Sequence, residues 1–266
     1  MKIYFATAEN PIHRKYLTNN NVKHILMSYF YMNNVDLAGL KKEHGFRIFI
    51  DSGGFTARRK NVDIDIHEYG QFLKDNKDSI EVAANLDVGS FKQQLENQKI
   101  LETYYPVLPV YHSTEYFSPE RDVLIDLIKR YEYIALGGMA VNATRTETTE
   151  FLNYCFKKAI PNKTKYHGFG ISSFDRLKEY PFYSVDASTW ISLPRYGNAS
   201  LYQDLVRGNK VFCYKKKEDA LKLNINTKAF ETSMGLREEL KKVVLNGLKL
   251  EKDITRLWEA RGVNWK

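Results

Sequence analysis

Apolar runs of strand length recur along the chain, with segments of helical spacing between them. Runs at residues 3–8, 23–30, 47–50, 81–87, 107–112, 133–139, 166–171 and 182–186 read as strands. Several are apolar throughout, the mark of strands covered on both faces. Helical patterns fill residues 35–44, 66–75, 90–104, 119–130, 146–159 and 173–179, and Pro119 after Ser118 reads as a helix start. Eight strands alternating with helices predict an α/β fold, a (β/α)8 barrel over residues 1–190. An open doubly wound sheet is the alternative. The two differ in consequence, because a barrel gathers every C-terminal strand end at one mouth and an open sheet spreads them out.

The pattern changes after Thr189. Residues 191–266 predict an extension that starts irregularly, with Pro194 and Gly197, and passes two short elements near 201–206 and 218–223. It ends in an amphipathic helical stretch over 227–258. Leu236, Leu240, Val243, Val244, Leu248, Ile254 and Leu257 form its apolar stripe, which is expected to pack against the barrel.

Polar residues matter most where they end the apolar runs. A carboxylate directly after such a run is badly placed for packing. It is well placed at a mouth, where it stays partly hydrated or meets a ligand. Asp51, Asp87 and Asp186 stand in such positions, together with His112 and the pair Gly137-Gly138. A barrel would unite them. Each also has a plainer role open to it: Asp51 as the cap of a tight turn, Gly137-Gly138 as a bulge, Asp186 as a helix cap beside Ser188 and Thr189. In the functional alternative, Gly53 and Gly54 let a ligand approach the backbone, and Phe55 can stack on a flat ring. The main chain after Leu136 can read the edge of a planar heterocycle. Asp186, followed by the small Ala187 and Ser188, is competent as a nucleophile toward an anomeric carbon. His112 and His167 with the aspartates leave a metal-dependent barrel hydrolase as an alternative. The first strand carries no histidine to support it, so a polar core or substrate-contact role is expected for both.

Composition adds bounds rather than a function. The 266 residues carry a net charge of +8, compatible with a polyanionic partner. The basic clusters Arg58-Arg59-Lys60, Lys157-Lys158, Lys215-Lys216-Lys217 and Lys241-Lys242 are dispersed, as on a surface that tracks a phosphate backbone or on solvated helix faces. Cys155 and Cys213 cannot make a disulfide framework or a multi-cysteine zinc site. No run of about 18 apolar residues exists and the first residues lack a signal-peptide pattern, so a cytoplasmic protein without a membrane span is expected.

Taken in order, the segments resemble the tRNA-guanine transglycosylase superfamily. Asp51-Ser52-Gly53-Gly54-Phe55 matches that family's strand-end motif, and Gly137-Gly138-Met139-Ala140-Val141 is similar to its base-reading segment. Gly168-Phe169-Gly170-Ile171-Ser172 followed by Val185-Asp186 resembles the approach to its nucleophilic aspartate. The likeness spans residues 48–189. Three departures stand out. The zinc ligands of the tRNA-acting members are missing, with only Cys213 in that region. The carboxylate-rich motif of the fourth strand is reduced to Asp87-Val88-Gly89, and the family's glutamine at the next strand end is His112. The chain is also short and shows no added RNA-binding domain, so it looks most like the DpdA branch, DNA-guanine transglycosylases of phages and bacteria.

That resemblance implies base exchange without metal or cofactor. Guanine in DNA would be replaced by a 7-deazaguanine derivative, such as 7-cyano-7-deazaguanine, through a covalent aspartyl–sugar intermediate. Asp186 would be the nucleophile and Asp51 the proton shuttle. Ser52, Gly53, Phe55, Asp87, His112, Gly137, Gly138 and Met139 would hold the base. The partners implied are DNA, with a guanine nucleotide flipped into the mouth, and the free 7-deazaguanine base. Phe55, Tyr111 and Trp190 are candidates to stack on the extruded base, and Arg195, Arg207, Lys215, Lys216 and Lys217 to contact phosphates. The same chemistry on tRNA is the alternative.

Overall fold

The structure, a computed structural model, describes residues 1–32, 35–139, 144–191, 199–201, 212–214 and 233–265. Eight strands form one sheet: β1 (Lys2–Phe5), β2 (His24–Ser28), β3 (Arg47–Asp51), β4 (Ile80–Ala83), β5 (Val110–His112), β6 (Tyr133–Gly137), β7 (Lys165–Gly168) and β8 (Ser184–Ala187). Their order is β4-β3-β2-β1-β8-β7-β6-β5, and every pairing is parallel. The connections carry α1 (Pro11–Asn19), α2 (Leu37–His44), α3 (Gly54–Arg59), α4 (Ile66–Asp75), α5 (Phe91–Glu102), α6 (Ser113–Tyr116), α7 (Val123–Arg130), α8 (Arg145–Asn162) and α9 (Phe174–Glu179). The alternation expected from the sequence is therefore present.

The helices start where the sequence supplies caps. Asp65 accepts from the amides of His67 and Glu68 at the start of α4, and Thr144 with Glu147 forms a capping box at α8. Three short helices fall outside the patterns read from the sequence. Of these, α1 depends on the Asn10 cap and Pro11 rather than on a strong apolar stripe, while α3 and α6 are too short to show a period. Most of the expected strands are trimmed at one end or both. The run at 23–30 ends in a 3-10 turn, Tyr29–Tyr31, and the run at 81–87 leaves the sheet after Ala83.

The strands have two buried faces. Ile25, Ile48, Ile50, Ile134, Leu136, Tyr166 and Val185 point outward into the main core beneath the helices. Tyr4, Leu26, Phe49, Val110 and Ala135 point inward and form a second, smaller core with Ala6, Ala84 and Leu108. Ring contacts show how far the sheet curls. Phe49 of β3 and His167 of β7 have centroids 4.6 Å apart, and Tyr4 of β1 meets Phe49 at 5.3 Å. Three strands separate β3 from β7 in the sheet order. In a flat sheet they would stand roughly 19 Å apart at the usual strand spacing, so the inner face wraps onto itself.

The two edge strands approach each other at one place. Residues just past β4 and just before β5 share a parallel bridge, Ala84 with Leu108. Leu108 N–H donates to Ala83 O at 2.8 Å and Asn85 N–H to Leu108 O at 2.9 Å. Side-chain amides serve the backbone beyond that bridge. Asn97 Nδ2 donates to Leu86 O and Gln98 Nε2 to Val107 O, each at 2.8 Å. This explains why α5 buries Asn97 and Gln98, polar types that packing alone would not select.

The N-terminal end of the interior is polar. The β3–β4 ladder shifts register, pairing Ile48 with Ile80 and Phe49 with Val82, so Glu81 has no partner across it. Its carboxylate takes Lys2 Nζ at 2.7 Å, Tyr4 Oη at 3.0 Å and an Arg47 nitrogen at 3.2 Å. Burial works against that charge, but the Lys2 and Tyr4 bonds outweigh it and hold Glu81 below the usual carboxylate range.

A long helix, α10 (Ser233–Ala260), follows a short antiparallel pair, β9 (Ala199–Leu201) with β10 (Phe212–Tyr214). Helix α10 buries Val244, Ile254 and Trp258; Trp258 Nε1 donates to Leu177 O at 2.8 Å, and Ile3 N–H to Glu251 Oε2 at 2.7 Å. The element expected at 201–206 lies outside the described residues except for Leu201, and that at 218–223 entirely so. No helix among the described residues is long and apolar enough to cross a membrane.

Candidate active site

Strand register dictates which side chains meet. Side chains alternate, so Tyr4, Ser28, Asp51, His112, Gly137, His167 and Asp186 fall on the inner face. Ser28 pairs with Asp51, His112 with Gly137, and Tyr4 with Asp186. Asp51, His112 and Gly137 are each the last residue of their strand, so they open into the mouth.

Asp51 is the electrostatic centre. Gly53 N–H donates to its Oδ2 at 3.1 Å. Burial, then the negative charges of Asp87 and Asp186, push its pKa up to about 7, against the Gly53 bond. A carboxyl poised there can both give and take a proton at neutral pH. Gly53 has φ +79°, and a Cβ at that position would strike Ser28 Oγ and Phe30 Cβ, so this turn requires glycine. The plain role of Asp51 as a turn cap and its place at the mouth coexist.

Asp87 lies four residues beyond β4, in the segment that has left the sheet. Ser52 O–H donates to its Oδ1 at 3.4 Å, and His112 Nε2 lies 2.8 Å from its Oδ2. Glu115 completes the cluster. Its Oε2 accepts the His112 backbone N–H at 2.6 Å and lies 3.3 Å from His112 Nδ1. Burial opposes charge on His112, yet the bonds to Asp87 and Glu115 prevail and raise its pKa to about 10. Both ring nitrogens of this imidazolium thus face carboxylates. Gly137 makes the arrangement possible, since a Cβ on it would fall 2.5 Å from His112 Cδ2. Gly138 O accepts from Ser113 Oγ at 3.1 Å, and the Met139 side chain is buried in the outer core.

Asp186 is held from one side. Gly170 N–H donates to its Oδ1 at 2.8 Å, and His167 Nε2 lies 3.5 Å from the same oxygen. Oδ2 has no hydrogen-bond partner among the described residues. Asp186 therefore receives a loop amide instead of capping a helix.

Two stacking candidates are corrected. Tyr111 is fully buried on the outer face, beside Phe151, and donates to Arg121 O at 2.9 Å. Trp190 is buried against Phe5 and His13, with Nε1 donating to Ala6 O at 3.1 Å. Neither ring reaches a ligand in the mouth. Phe55 does offer a face, being 45 % exposed on α3. Arg195, Arg207, Lys215, Lys216 and Lys217 lie outside the described residues.

Other site groups were not singled out in the sequence. Glu9 follows the first apolar run, the same signal that marked Asp51 and Asp186. Its Oε2 accepts from Ser28 N–H at 3.5 Å, burial raises its pKa, and its charge reaches Asp51. Ser28 Oγ is buried without a hydrogen-bond partner. Glu115 left a local trace, an acid three residues after His112. Among the described residues, no three His, Cys, Asp or Glu side chains form a group that could hold a metal ion.

No protein-family model matches the sequence, and no curated protein matches it.

Proposed function

We propose that this chain is a base-exchange transglycosylase that replaces guanine in DNA with a 7-deazaguanine derivative, on a closed (β/α)8 barrel of the tRNA-guanine transglycosylase kind and nearest its DpdA branch. The sheet order and the Ala84–Leu108 bridge support closure. One observation carries the functional reading. Two carboxylates at the mouth differ: Asp186 has one oxygen anchored and one without a hydrogen-bond partner among the described residues, while the Asp51 pKa is pushed up to about 7. Exchange at an anomeric carbon needs that division into nucleophile and proton shuttle.

The steps balance without a redox or metal partner. Asp186 Oδ2 attacks C1′ of the nucleotide as the C1′–N9 bond breaks, and the electron pair leaves with guanine, which takes a proton from Asp51. The resulting ester carries the sugar. Asp51, now a carboxylate, removes the N9 proton of the incoming base. N9 attacks C1′, and Asp186 leaves with its electron pair. Two inversions retain configuration. Asp87, fixed by His112 and Ser52, would accept from the N1–H and 2-amino edge of a guanine-like base.

The rim supports a polynucleotide. Helix α3 begins right after the Asp51 turn and exposes Phe55, Arg58 and Arg59, with Lys60 after it. Arg59 lies 5.7 Å from the Phe55 ring centre, and Lys60 within 5.2 Å of Phe30 and Tyr31. Cations beside rings that are exposed or half-buried suit phosphates flanking an extruded base.

Exchange of radiolabelled guanine into DNA and tRNA, run side by side, tests the proposal. Label entering DNA, and lost in Asp186→Ala, is the expected result. Faster exchange into tRNA would reassign the polymer and leave the aspartate chemistry standing. No exchange into either would refute the proposal.

A further inference from the structure

We infer that Tyr133, Ser184 and His167 form a buried hydrogen-bonded chain that fixes the imidazole tautomer and thereby aims Asp186, leaving Oδ2 as its attacking oxygen. The inference rests on the proposed role of Asp186 as nucleophile. Its geometry stands without that role. Tyr133 Oη lies 2.5 Å from Ser184 Oγ, Ser184 Oγ 2.6 Å from His167 Nδ1, and His167 Nε2 3.5 Å from Asp186 Oδ1. Parallel register builds this file, since His167 pairs with Ser184 across β7 and β8, and Ser184 and Asp186 share the inner face of β8.

Proton accounting fixes the direction. His167 is fully buried, ringed by Tyr4, Phe49 and Phe169, and burial lowers its pKa despite Asp186, so the ring is neutral and carries one N–H. Burial likewise raises the Tyr133 pKa, so its hydroxyl keeps its proton, with Ser184 Oγ as its hydrogen-bond partner. Tyr133 therefore donates to Ser184, Ser184 donates to Nδ1, and the ring proton sits on Nε2, facing Asp186. The opposite tautomer would leave one hydroxyl proton of the Tyr133–Ser184 pair without an acceptor in the chain and turn a lone pair toward a carboxylate. Nε2 is fully enclosed and makes no hydrogen bond; Asp186 Oδ1, 3.5 Å away, is the acceptor it approaches.

The consequence is asymmetry in the carboxylate. Gly170 N–H and His167 Nε2–H both address Oδ1, which becomes the carbonyl oxygen of the sugar ester. When the second base attacks, charge returns to the carboxylate, and the same two donors receive it. His167 is thus a positioning residue that acts through Asp186. It touches neither sugar nor base.

Ring NMR on the whole protein reads the chain without turnover. At pH 7 the His167 ring should be neutral with its proton on Nε2, and Asp186→Asn should shift the Nε2 signal. Tyr133→Phe and Ser184→Ala should weaken that tautomer preference in proteins that remain folded by circular dichroism. A ring protonated on Nδ1 alone, or an Nε2 signal indifferent to Asp186→Asn, overturns the inference. Kinetics then separate positioning from mere support. His167→Leu should lower kcat at least about tenfold with the base KM within about twofold, and His167→Gln, which keeps a donor near Nε2, should recover most of that loss. Equal losses in the leucine and glutamine variants would also overturn it. A wild-type protein silent in every exchange assay would refute the transglycosylase reading instead, and ring NMR alone would then decide the chain.

Discussion

His112 Nε2 lies 2.8 Å from Asp87 Oδ2, while Glu115 approaches the other ring nitrogen at 3.3 Å. With both ring nitrogens of this imidazolium facing carboxylates, the proposed function implies that His112 acts on a substrate through Asp87. Its folded pKa of about 10 exceeds the ordinary 6.5. The stability this raised pKa confers is fully present below 6.5 and is lost as pH rises through 10. His112→Asn, which strands two carboxylates, should cost about 3 kcal/mol near pH 6. The margin to wild type should shrink between pH 6.5 and 10. Urea melts at pH 6, 8 and 10 check this, and a margin independent of pH would contradict it.

Gly137 gives His112 its space. Gly137→Ala should destabilise by about 1–3 kcal/mol, because the new methyl and the His112 ring claim the same volume. The effect should be strongly non-additive with His112→Ala, which removes the ring. A double-mutant cycle by chemical denaturation measures the coupling. Simple additivity would mean that Gly137 serves another purpose.

Asp51 carries a pH signature of the same sign, set lower on the pH scale. Its folded pKa of about 7 is raised, so the folded state binds the extra proton and stability falls as pH climbs from about 4 to 7. Asp51→Asn removes that loss. The variant should gain on wild type across this window, by up to about 1.4 kcal/mol per unit of pKa shift removed, and hold the gain above it. It should also lose base exchange. Melts at pH 5 and pH 8 beside an exchange assay test both halves. A variant less stable than wild type by the same margin at both pH values would sink the assignment.

The alternation of apolar runs made the parallel sheet legible, and a carboxylate after an apolar run located Asp51 and Asp186. The β4–β5 seam was less legible. There the apolar run continues to residue 87 while the ladder stops at Ala83, because α5 amides take over the backbone bonds. The burial of Tyr111 and Trp190 was not legible in the sequence for a different reason. Lying beside site residues in sequence says little about facing, and one step along a strand turns Tyr111 outward while His112 points in. The link from His167 to Asp186 needs register across β7 and β8, which sequence spacing alone does not supply.

A retaining exchange requires that the sugar be carried on Asp186, and intact-protein mass spectrometry can detect that ester. The protein would be mixed with a guanine-containing DNA oligonucleotide and a slow acceptor base, denatured, weighed and mapped by peptides. The predicted result is an adduct of the oligonucleotide's mass on the peptide containing Asp186, absent in Asp186→Ala and Asp186→Asn. An adduct that maps to another residue, or that persists in either variant, would contradict the nucleophile assignment.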